Sequence, residues 1–201
     1  MYPDIYYEDK NANLHSIILV NTSLSTDCYE QIQFHSTDVT GIRIRTDTGR
    51  VTLINVYNDC THNAAMDEVD GYLTHMFPEG HIPDDEHVIM AGDFNRHHNW
   101  WEEERNAHLT SSEGMIRPLL DVLYKFDLKM ALPENTPTLQ AHSTGNWTHP
   151  GNVWCSDHTT DLFTQCKMSP GLRGPNTDHL PILSVLDLPT IHTVPKPTRN
   201  F

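Results

Sequence analysis

The sequence of 201 residues has no apolar run close to the roughly 20 residues that a membrane-spanning helix needs, so we expect no membrane association. It opens on Met1-Tyr2-Pro3-Asp4, without the basic and apolar segments of a secretory signal, which favours a reducing, intracellular compartment. The four cysteines form no CxxC pair, and we expect free thiols. The nearest pattern to a zinc motif, Cys60-x-His62 with Cys155-x-x-His158 and Cys166, does not have the spacing of a zinc finger.

Positive charge is scarce as well. Lys and Arg number 13 against 27 Asp and Glu, which gives a net charge of −14. Strong sequence-independent binding of a polyanion requires clustered Lys and Arg, so the composition disfavours it. The acidity is concentrated in residues 61–113, where 12 acidic residues accompany only Arg96 and Arg105. Hydrophobic residues at 37% and charged residues at 20% are typical of a folded, rather polar globular chain.

Apolar periodicity predicts a mixture of strands and helices. The expected strands are 17–20, 42–45, 51–57, 88–91, 161–163 and 181–186, with 39–57 forming a hairpin that turns at Thr48-Gly49. The continuous apolar run at 88–91 suits a strand that is buried on both faces. Helical spacing predicts one helix over 66–77, with Asn63 as a possible N-cap, and another over about 117–126. In the second helix, Pro118 is tolerable only in the first turn.

This order of elements predicts a layered α/β (α+β) fold in one domain over residues 1–187. Residues 188–201, which include Pro189, Pro195 and Pro197, are typical of an extended linker.

One candidate for chemistry follows the buried strand. Its end reads Gly92-Asp93-Phe94-Asn95, where the period of two along a strand points Asp93 and Asn95 the same way. Asp93 can accept a proton from water or hold a cation, and Asn95 can orient the same water or a phosphate oxygen. The alternative is an ordinary Asp/Asn turn that closes a strand.

A second candidate precedes the last strand. The adjacent Asp178 and His179 offer a metal-binding carboxylate and an imidazole for a phosphate or a leaving group, unless they belong to a solvated loop. Asp161 is a candidate for orienting a histidine. Tyr57 closes a strand and presents a phenol there, although packing is the alternative.

The order of these pieces resembles the endonuclease/exonuclease/phosphatase superfamily. Within it, residues 54–59, residues 143–148 and the Asp178-His179 pair are similar to the endonuclease domain of fungal LINE-type retrotransposons. The resemblance covers roughly residues 14–187. It implies a four-layer sandwich of two packed mixed β-sheets flanked by helices, with divalent-metal phosphodiester hydrolysis at the top of the sheets. It also implies DNA as substrate, a reverse transcriptase as partner domain in the parent element, and a nuclear location.

The resemblance also implies a role for each candidate. Asp93 would orient or deprotonate the attacking water, and Asn95 would hold that water or the phosphate. His179 would hydrogen-bond the scissile phosphate, with Asp161 fixing the orientation of its ring. These roles suit an anionic substrate, which a water molecule approaches only when positive groups screen its charge.

Asp178 would bind Mg²⁺ or Mn²⁺, and Tyr57 would contact the phosphate. The sequence departs from the family pattern in two places. The family's Tyr-x-Pro is replaced by Tyr57-Asn58-Asp59, and nothing before Leu14 matches the family's strand with an Asn or its Gln-Glu pair. We therefore expect the first strands, and the Glu that is the principal metal ligand, to be missing.

Three functions remain open. The first is a metal-dependent DNA endonuclease that is weak or inactive without the missing Glu. The second is a non-catalytic remnant or binding module of the same fold, and the third is a small-molecule phosphatase, which the acidic charge would suit. For the endonuclease, we expect DNA affinity to depend on the metal and on a few loop residues such as Arg96 and Arg173.

Overall fold

The computed structural model describes residues 13–188, so the expected linker from Pro189 onward and the first 12 residues of the expected domain lie outside the described residues. In chain order the strands are β1 Tyr29–Ile32, β2 Val39–Arg45, β3 Arg50–Tyr57, β4 Glu86–Asp93, β5 Leu128–Met130, β6 Leu139–Gln140, β7 Trp147–Thr148, β8 Gly151–Ser156, β9 Phe163–Met168 and β10 Ile182–Leu186. The α-helices are α1 Ala64–Met76 and α2 Glu113–Lys125, and short 3₁₀ segments cover Thr26–Cys28, Glu104–Leu109, Asp157–Leu162 and Pro170–Leu172. Within residues 13–188, no helix is both long enough and apolar enough to cross a membrane.

A six-stranded mixed sheet organises the chain, with the strand order β1-β2-β3-β4-β8-β5. Strands β3 and β4 are parallel, and the other neighbouring pairs in this sheet are antiparallel. Two further sheets have two strands each, β9 with β10 and β6 with β7. The mixed α/β fold class is therefore confirmed, as is the hairpin over 39–57, which pairs β2 with β3.

The sheet separates two apolar cores. Along β4, Val88 and Met90 enter the helix-side core, which α1 and α2 cover. Ile89 and Ala91 alternate with them and enter the sheet-side core, which β9 and β10 cover. The strand is thus buried on both faces, as its continuous apolar run predicts. The odd-numbered residues of β4, which include Asp93, belong to the sheet-side face.

The apolar run at 17–20 belongs to no strand, so its assignment as a strand is wrong. Ile18 and Val20 pack against the sheet-side core, while Ile17 and Leu19 are 62% and 86% exposed. The period of two is real, because one side of the segment packs on the sheet. The ladder is absent because the contacts to β2 and β3 go through side chains instead: the carbonyl of Ser16 accepts from the Thr40 hydroxyl.

The second helix begins at Glu113, four residues earlier than predicted, so Pro118 lies inside it and not in its first turn. A proline there has no N–H for the carbonyl four residues earlier, which is that of Gly114. The side chain of Asn63 supplies the missing donor, since its Nδ2 lies 3.2 Å from the Gly114 carbonyl. Asn63 does occupy the N-cap position of α1, but its side chain makes no capping hydrogen bond because it is used elsewhere.

The region around Asp161 also differs from the prediction. Asp161 and Leu162 end the 3₁₀ segment Asp157–Leu162, and the strand β9 begins only at Phe163. The strand expected at 181–186 is β10 and begins at Ile182, since Pro181 has no N–H to donate to a ladder.

Candidate active site

The site begins where β3 and β4 end side by side. Gly92 has φ +147°, and a Cβ at this position would lie 1.9 Å from the carbonyl oxygen of Val56 on β3. Only glycine permits this close approach of the two backbones. The parallel register then places Tyr57 opposite Asp93. The ends of parallel strands meet at one edge of the sheet, so both side chains belong to the same site.

His179 reaches this edge from far along the chain. Its Nε2 lies 3.6 Å from Oδ2 of Asp93 and 3.9 Å from Oδ1 of Asp178. The adjacent backbone fixes this position, because the Leu180 N–H donates to the carbonyl of Thr138 at 2.8 Å. The structure therefore brings together the two motifs that the sequence places 85 residues apart.

Asn95 stands beside Asp93 for a different reason than the predicted one. The strand ends at Asp93, and Asn95 adopts a left-handed conformation with φ +48°. Its backbone N–H donates to Oδ1 of Asp93 at 3.1 Å, and its Nδ2 donates to the carbonyl of Asn58 at 2.9 Å. The segment is thus an Asp/Asn turn as well as part of the site.

Asn58 was not predicted as a site residue, although it follows β3 directly. It is fully buried, its N–H donates to the Asp93 carbonyl at 2.8 Å, and its Nδ2 donates to the carbonyl of Phe94 at 3.1 Å. These bonds join the segment after β3 to the segment after β4. A polar residue directly after one of two parallel neighbouring strands is the signal that could have identified it.

The environment of the site changes the acidity of two groups. Burial raises the pKa of Asp93, and this effect exceeds the lowering by His179 and by the hydrogen bonds from Asn95. A carboxylate with a raised pKa is a better proton acceptor near neutral pH than an ordinary Asp. Burial also raises the pKa of Tyr57, together with the nearby Cys60 and Asp59, so its phenol remains a donor.

The structure does not bring Asp161 to His179. His158, in the same 3₁₀ segment as Asp161, has its Nε2 2.9 Å from the carbonyl of Glu86, the first residue of β4. Asp93 is the last residue of β4, about 23 Å away at the usual rise of a strand. Asp161 therefore lies near the opposite end of the sheet, and it is Asp93 whose carboxylate lies beside the imidazole of His179.

Arg96 is not available for DNA either, because it is a buried residue with 1% exposure. All five of its N–H groups donate to neutral oxygens: the carbonyls of Met115, Asp59, Asn95 and His62, and Oδ1 of Asn63. The other loop arginine, Arg173, is half-buried beside the site and donates from Nε to the carbonyl of Thr177 at 2.8 Å.

Among the described residues, two histidine–carboxylate hydrogen bonds lie at this end of the sheet, and neither was predicted. The Nδ1 of His15 lies 2.6 Å from Oδ1 of Asp38, and the His15 ring contacts the ring of Tyr57 at 5.2 Å between centroids. The second pair, His97 with Glu102, follows Asp93 along the chain. No periodicity signals the pairing of His15 with Asp38, because it joins two segments outside regular structure.

A cavity of about 650 Å³ extends from the site between the large sheet and β10. Asp93 and His179 lie on its wall, and most of the other lining residues are apolar, among them Ile54, Ile89, Ala91, Val153, Leu180 and Ile182. The polar groups therefore gather at one side of an apolar space.

The residues at the site fit one kind of metal binding. Among residues 13–188, no group of three or more His, Cys, Asp and Glu side chains is arranged to enclose an ion. Asp93 and Asp178, however, each place a carboxylate oxygen within 4 Å of the same His179 nitrogen. Mg²⁺ is commonly bound by one or two carboxylates, with waters and substrate phosphate completing its octahedron. The site fits Mg²⁺ or Mn²⁺ bound in that way, and it does not fit a closed cage of protein ligands.

The match to a family model covers more than half of the chain. The model of the endonuclease-reverse transcriptase family matches residues 51–183, which include the whole of both motifs. The chain belongs to this family. It is thereby a protein of the endonuclease/exonuclease/phosphatase superfamily, similar to retrotransposon endonucleases, as its motifs indicate. A search of curated protein sequences gives no significant match.

Solved structures share the fold. The endonuclease domain of TRAS1, a telomere-specific non-LTR retrotransposon, matches with a TM-score of 0.62 and 17% identity, over 82% of this chain and 71% of that one. An AP endonuclease from Archaeoglobus fulgidus matches with a TM-score of 0.54 and 15% identity, over 74% and 65%. The AP endonuclease LMAP from Leishmania major matches with a TM-score of 0.58 and 13% identity, over 77% and 56%. At the level of the family, the fold and these nuclease neighbours support hydrolysis of nucleic-acid phosphodiesters.

Proposed function

We propose that this chain is a divalent-metal-dependent endonuclease that cleaves phosphodiester bonds in DNA. The observation that supports it best is the convergence of Asp93, Asp178 and His179 at the end of β4, with Tyr57 in register beside Asp93. This set combines a proton acceptor, an imidazole and a second carboxylate within a few ångströms, which is what attack of water on a phosphodiester requires.

Each residue has a physical task in that reaction. Asp93, with its raised pKa, accepts a proton from the attacking water. Asn95 is held beside it by its bond to the Asn58 carbonyl and orients that water or a phosphate oxygen. His179 donates from Nε2 to the phosphate and stabilises the charge that develops there. The protonated phenol of Tyr57 is a second donor to the phosphate.

Asp178 is the residue that would hold Mg²⁺ or Mn²⁺, with waters and substrate phosphate completing the octahedron. When bound, the ion would supply Lewis-acid screening of the anionic phosphate. By its likeness to a retrotransposon endonuclease domain, we further propose a nuclear location and a reverse transcriptase as the partner domain.

The test is nicking of supercoiled plasmid in Mg²⁺. We expect nicked product from the wild type and its loss on chelation. For Asp93→Asn and His179→Ala we expect the nicking rate to fall by about 100-fold or more, which is the range that a general acid or base contributes. Asp121→Asn and His108→Ala are matched controls, because both residues are exposed and neither belongs to the set of Asp93, Asp178, His179 and Tyr57. Wild-type protein that binds plasmid without nicking it would instead be a binding module. Hydrolysis of phosphomonoesters with an intact plasmid would indicate a phosphatase.

A further inference from the structure

A histidine and a buried carboxylate form a pair on the loop after Asp93. The Nδ1 of His97 lies 2.5 Å from Oε1 of Glu102. The side chain of Glu102 is 2% exposed, and that of His97 is 26% exposed. An ionised carboxylate only accepts hydrogen bonds, so the proton between them belongs to Nδ1 of His97.

Glu102 is ionised although it is buried. Burial alone would raise its pKa, but the hydrogen bonds from His97, from the His149 N–H and from the Asn106 amide lower it below the ordinary value. Those bonds are 2.8 Å from His149 to Oε1 and 2.9 Å from Asn106 to Oε2. Of these three donors, His97 is the one that can carry a positive charge to offset the buried carboxylate.

The pair belongs to the same end of the molecule as Asp93. Asn106 also donates to the Trp147 carbonyl at 2.7 Å, which ties the loop to β7. The backbone of His97 is bonded at both its N–H and its carbonyl to Ser111, so the residue is held on two sides. Proximity to the site agrees with the electrostatic effect of His97 on Asp93, whose pKa it lowers.

The geometry leaves one nitrogen for a ligand. Nδ1 faces the buried carboxylate, so Nε2 lies on the other side of the partly exposed ring and can donate away from Glu102. The two arginines of residues 61–113 are already engaged within the protein, since Arg96 is buried and Arg105 pairs with Glu103.

We propose that His97, positioned by Glu102, contacts a backbone phosphate of the nucleic-acid substrate through Nε2. This rests on the proposed function, in that the substrate is DNA. His97 is the ligand-contacting group, and Glu102 acts through it as a positioning residue. The carboxylate fixes the plane of the ring and offsets the positive charge that the ring carries when Nε2 donates.

The test is binding of a fluorescent DNA duplex, measured by anisotropy without Mg²⁺ over a series of salt concentrations. Each phosphate contact by a cation contributes about 0.9 to the slope of log affinity against log salt. We expect His97→Gln to reduce that slope by about one unit. Glu102→Gln should reduce it similarly, and the double variant should lose little more than either single variant, because the two residues act as one unit.

His98→Gln is the matched control, since His98 is the adjacent histidine and packs on the rings of Trp100 and Trp101. Its slope should equal that of the wild type. If Glu102 only anchors the loop, Glu102→Gln will lower the melting temperature without changing the slope, and the proposal is overturned. An unchanged slope in His97→Gln, or a wild type that does not bind the duplex, overturns it as well. Should Glu102→Gln fail to fold, His97→Gln alone decides.

These outcomes are distinct from those of the nicking assay. A wild type that binds the duplex with the expected loss in His97→Gln, yet nicks nothing, contradicts the proposed endonuclease and leaves the phosphate contact standing. A wild type that nicks, with an unchanged slope in His97→Gln, contradicts the contact alone.

Discussion

Replacing Arg96 by Met tests whether this arginine belongs to the structure or to a DNA-binding surface. Met has a long unbranched side chain that can occupy much of the same space, but it has no donors. The five oxygens that Arg96 satisfies come from four places: the segment after β3, the start of α1, the turn after β4 and the first turn of α2. The guanidinium therefore joins the elements that surround the site.

The magnitude follows from the donors that are lost. A hydrogen bond to a charged group contributes about 1.5–3 kcal/mol, so five bonds would sum to about 7.5–15 kcal/mol, as much as the protein's whole stability of roughly 5–15 kcal/mol. The sum is too large because burial of the guanidinium itself costs free energy that Met does not incur. Each buried acceptor that stays unpaired costs about 1–3 kcal/mol, and with several of the five unpaired we expect a loss of about 3–5 kcal/mol for Arg96→Met. Arg96→Lys keeps the charge but has three donors instead of a planar set of five, and should cost about 2–3 kcal/mol.

The assay is urea unfolding, with the m-value compared between variants so that a change in the midpoint reports stability alone. His108→Ala, an exposed substitution, should stay within about 0.5 kcal/mol of the wild type. A loss below about 1 kcal/mol in Arg96→Met would refute the reasoning, because the five oxygens would then be satisfied by water at little cost. Loss of DNA affinity with unchanged stability would instead restore the sequence-based interpretation of Arg96 as a DNA contact.

Three further predictions follow from the site. Asp161→Asn should leave plasmid nicking within about 2-fold of wild type, a change below 1 kcal/mol, because Asp161 lies far from His179; a larger loss would restore its orienting role. Gly92→Ala should lower the free energy of unfolding by about 2–4 kcal/mol in urea, because its Cβ would overlap the Val56 carbonyl. Asp93→Asn should abolish nicking yet raise stability near neutral pH, since the ionised carboxylate is unfavourable where burial raises its pKa. That gain should vanish as the pH falls to the unfolded pKa near 3.9, and a destabilised variant at pH 7 would contradict it.

The parts of the fold that the sequence predicts correctly are those in which local pattern and final environment agree. The apolar run at 88–91 predicts a strand buried on both faces, and β4 has a core on each side. The alternation and the turn signal over 39–57 predict the β2–β3 hairpin, and the register confirms it. The motif at 92–95 and the Asp178-His179 pair could be joined only through the family resemblance, because no local pattern connects segments so far apart.

The failures concern residues whose partners are remote in sequence. The helix over 113–125 tolerates an internal Pro118 because Asn63 donates to the carbonyl that the proline leaves free, that of Gly114, which follows Asn63 by 51 residues. Nothing near Pro118 reveals that donor. Arg96 is a second example. An arginine in a polar loop is usually exposed, and only the folded chain brings five oxygens to this one. Asp161 precedes a strand, as a site residue often does, but the strand starts at the wrong end of the sheet.

The net charge of −14 takes on a different meaning once Arg96 is placed. The guanidinium of Arg96 interacts electrostatically with Asp59 and Asp93 from inside the protein. Its positive charge is therefore buried next to the site and is not on the surface. A charge in the low-dielectric interior acts on neighbouring groups with little screening by salt, whereas an exposed lysine would be screened within about 10 Å. The partly exposed groups that can donate to a phosphate there are imidazoles, with His179 beside Asp93 and His97 beside Glu102. The acidity of residues 61–113 therefore does not oppose binding of a phosphodiester at the end of β4. It removes general affinity for DNA and leaves recognition to a few contacts that the fold holds in place.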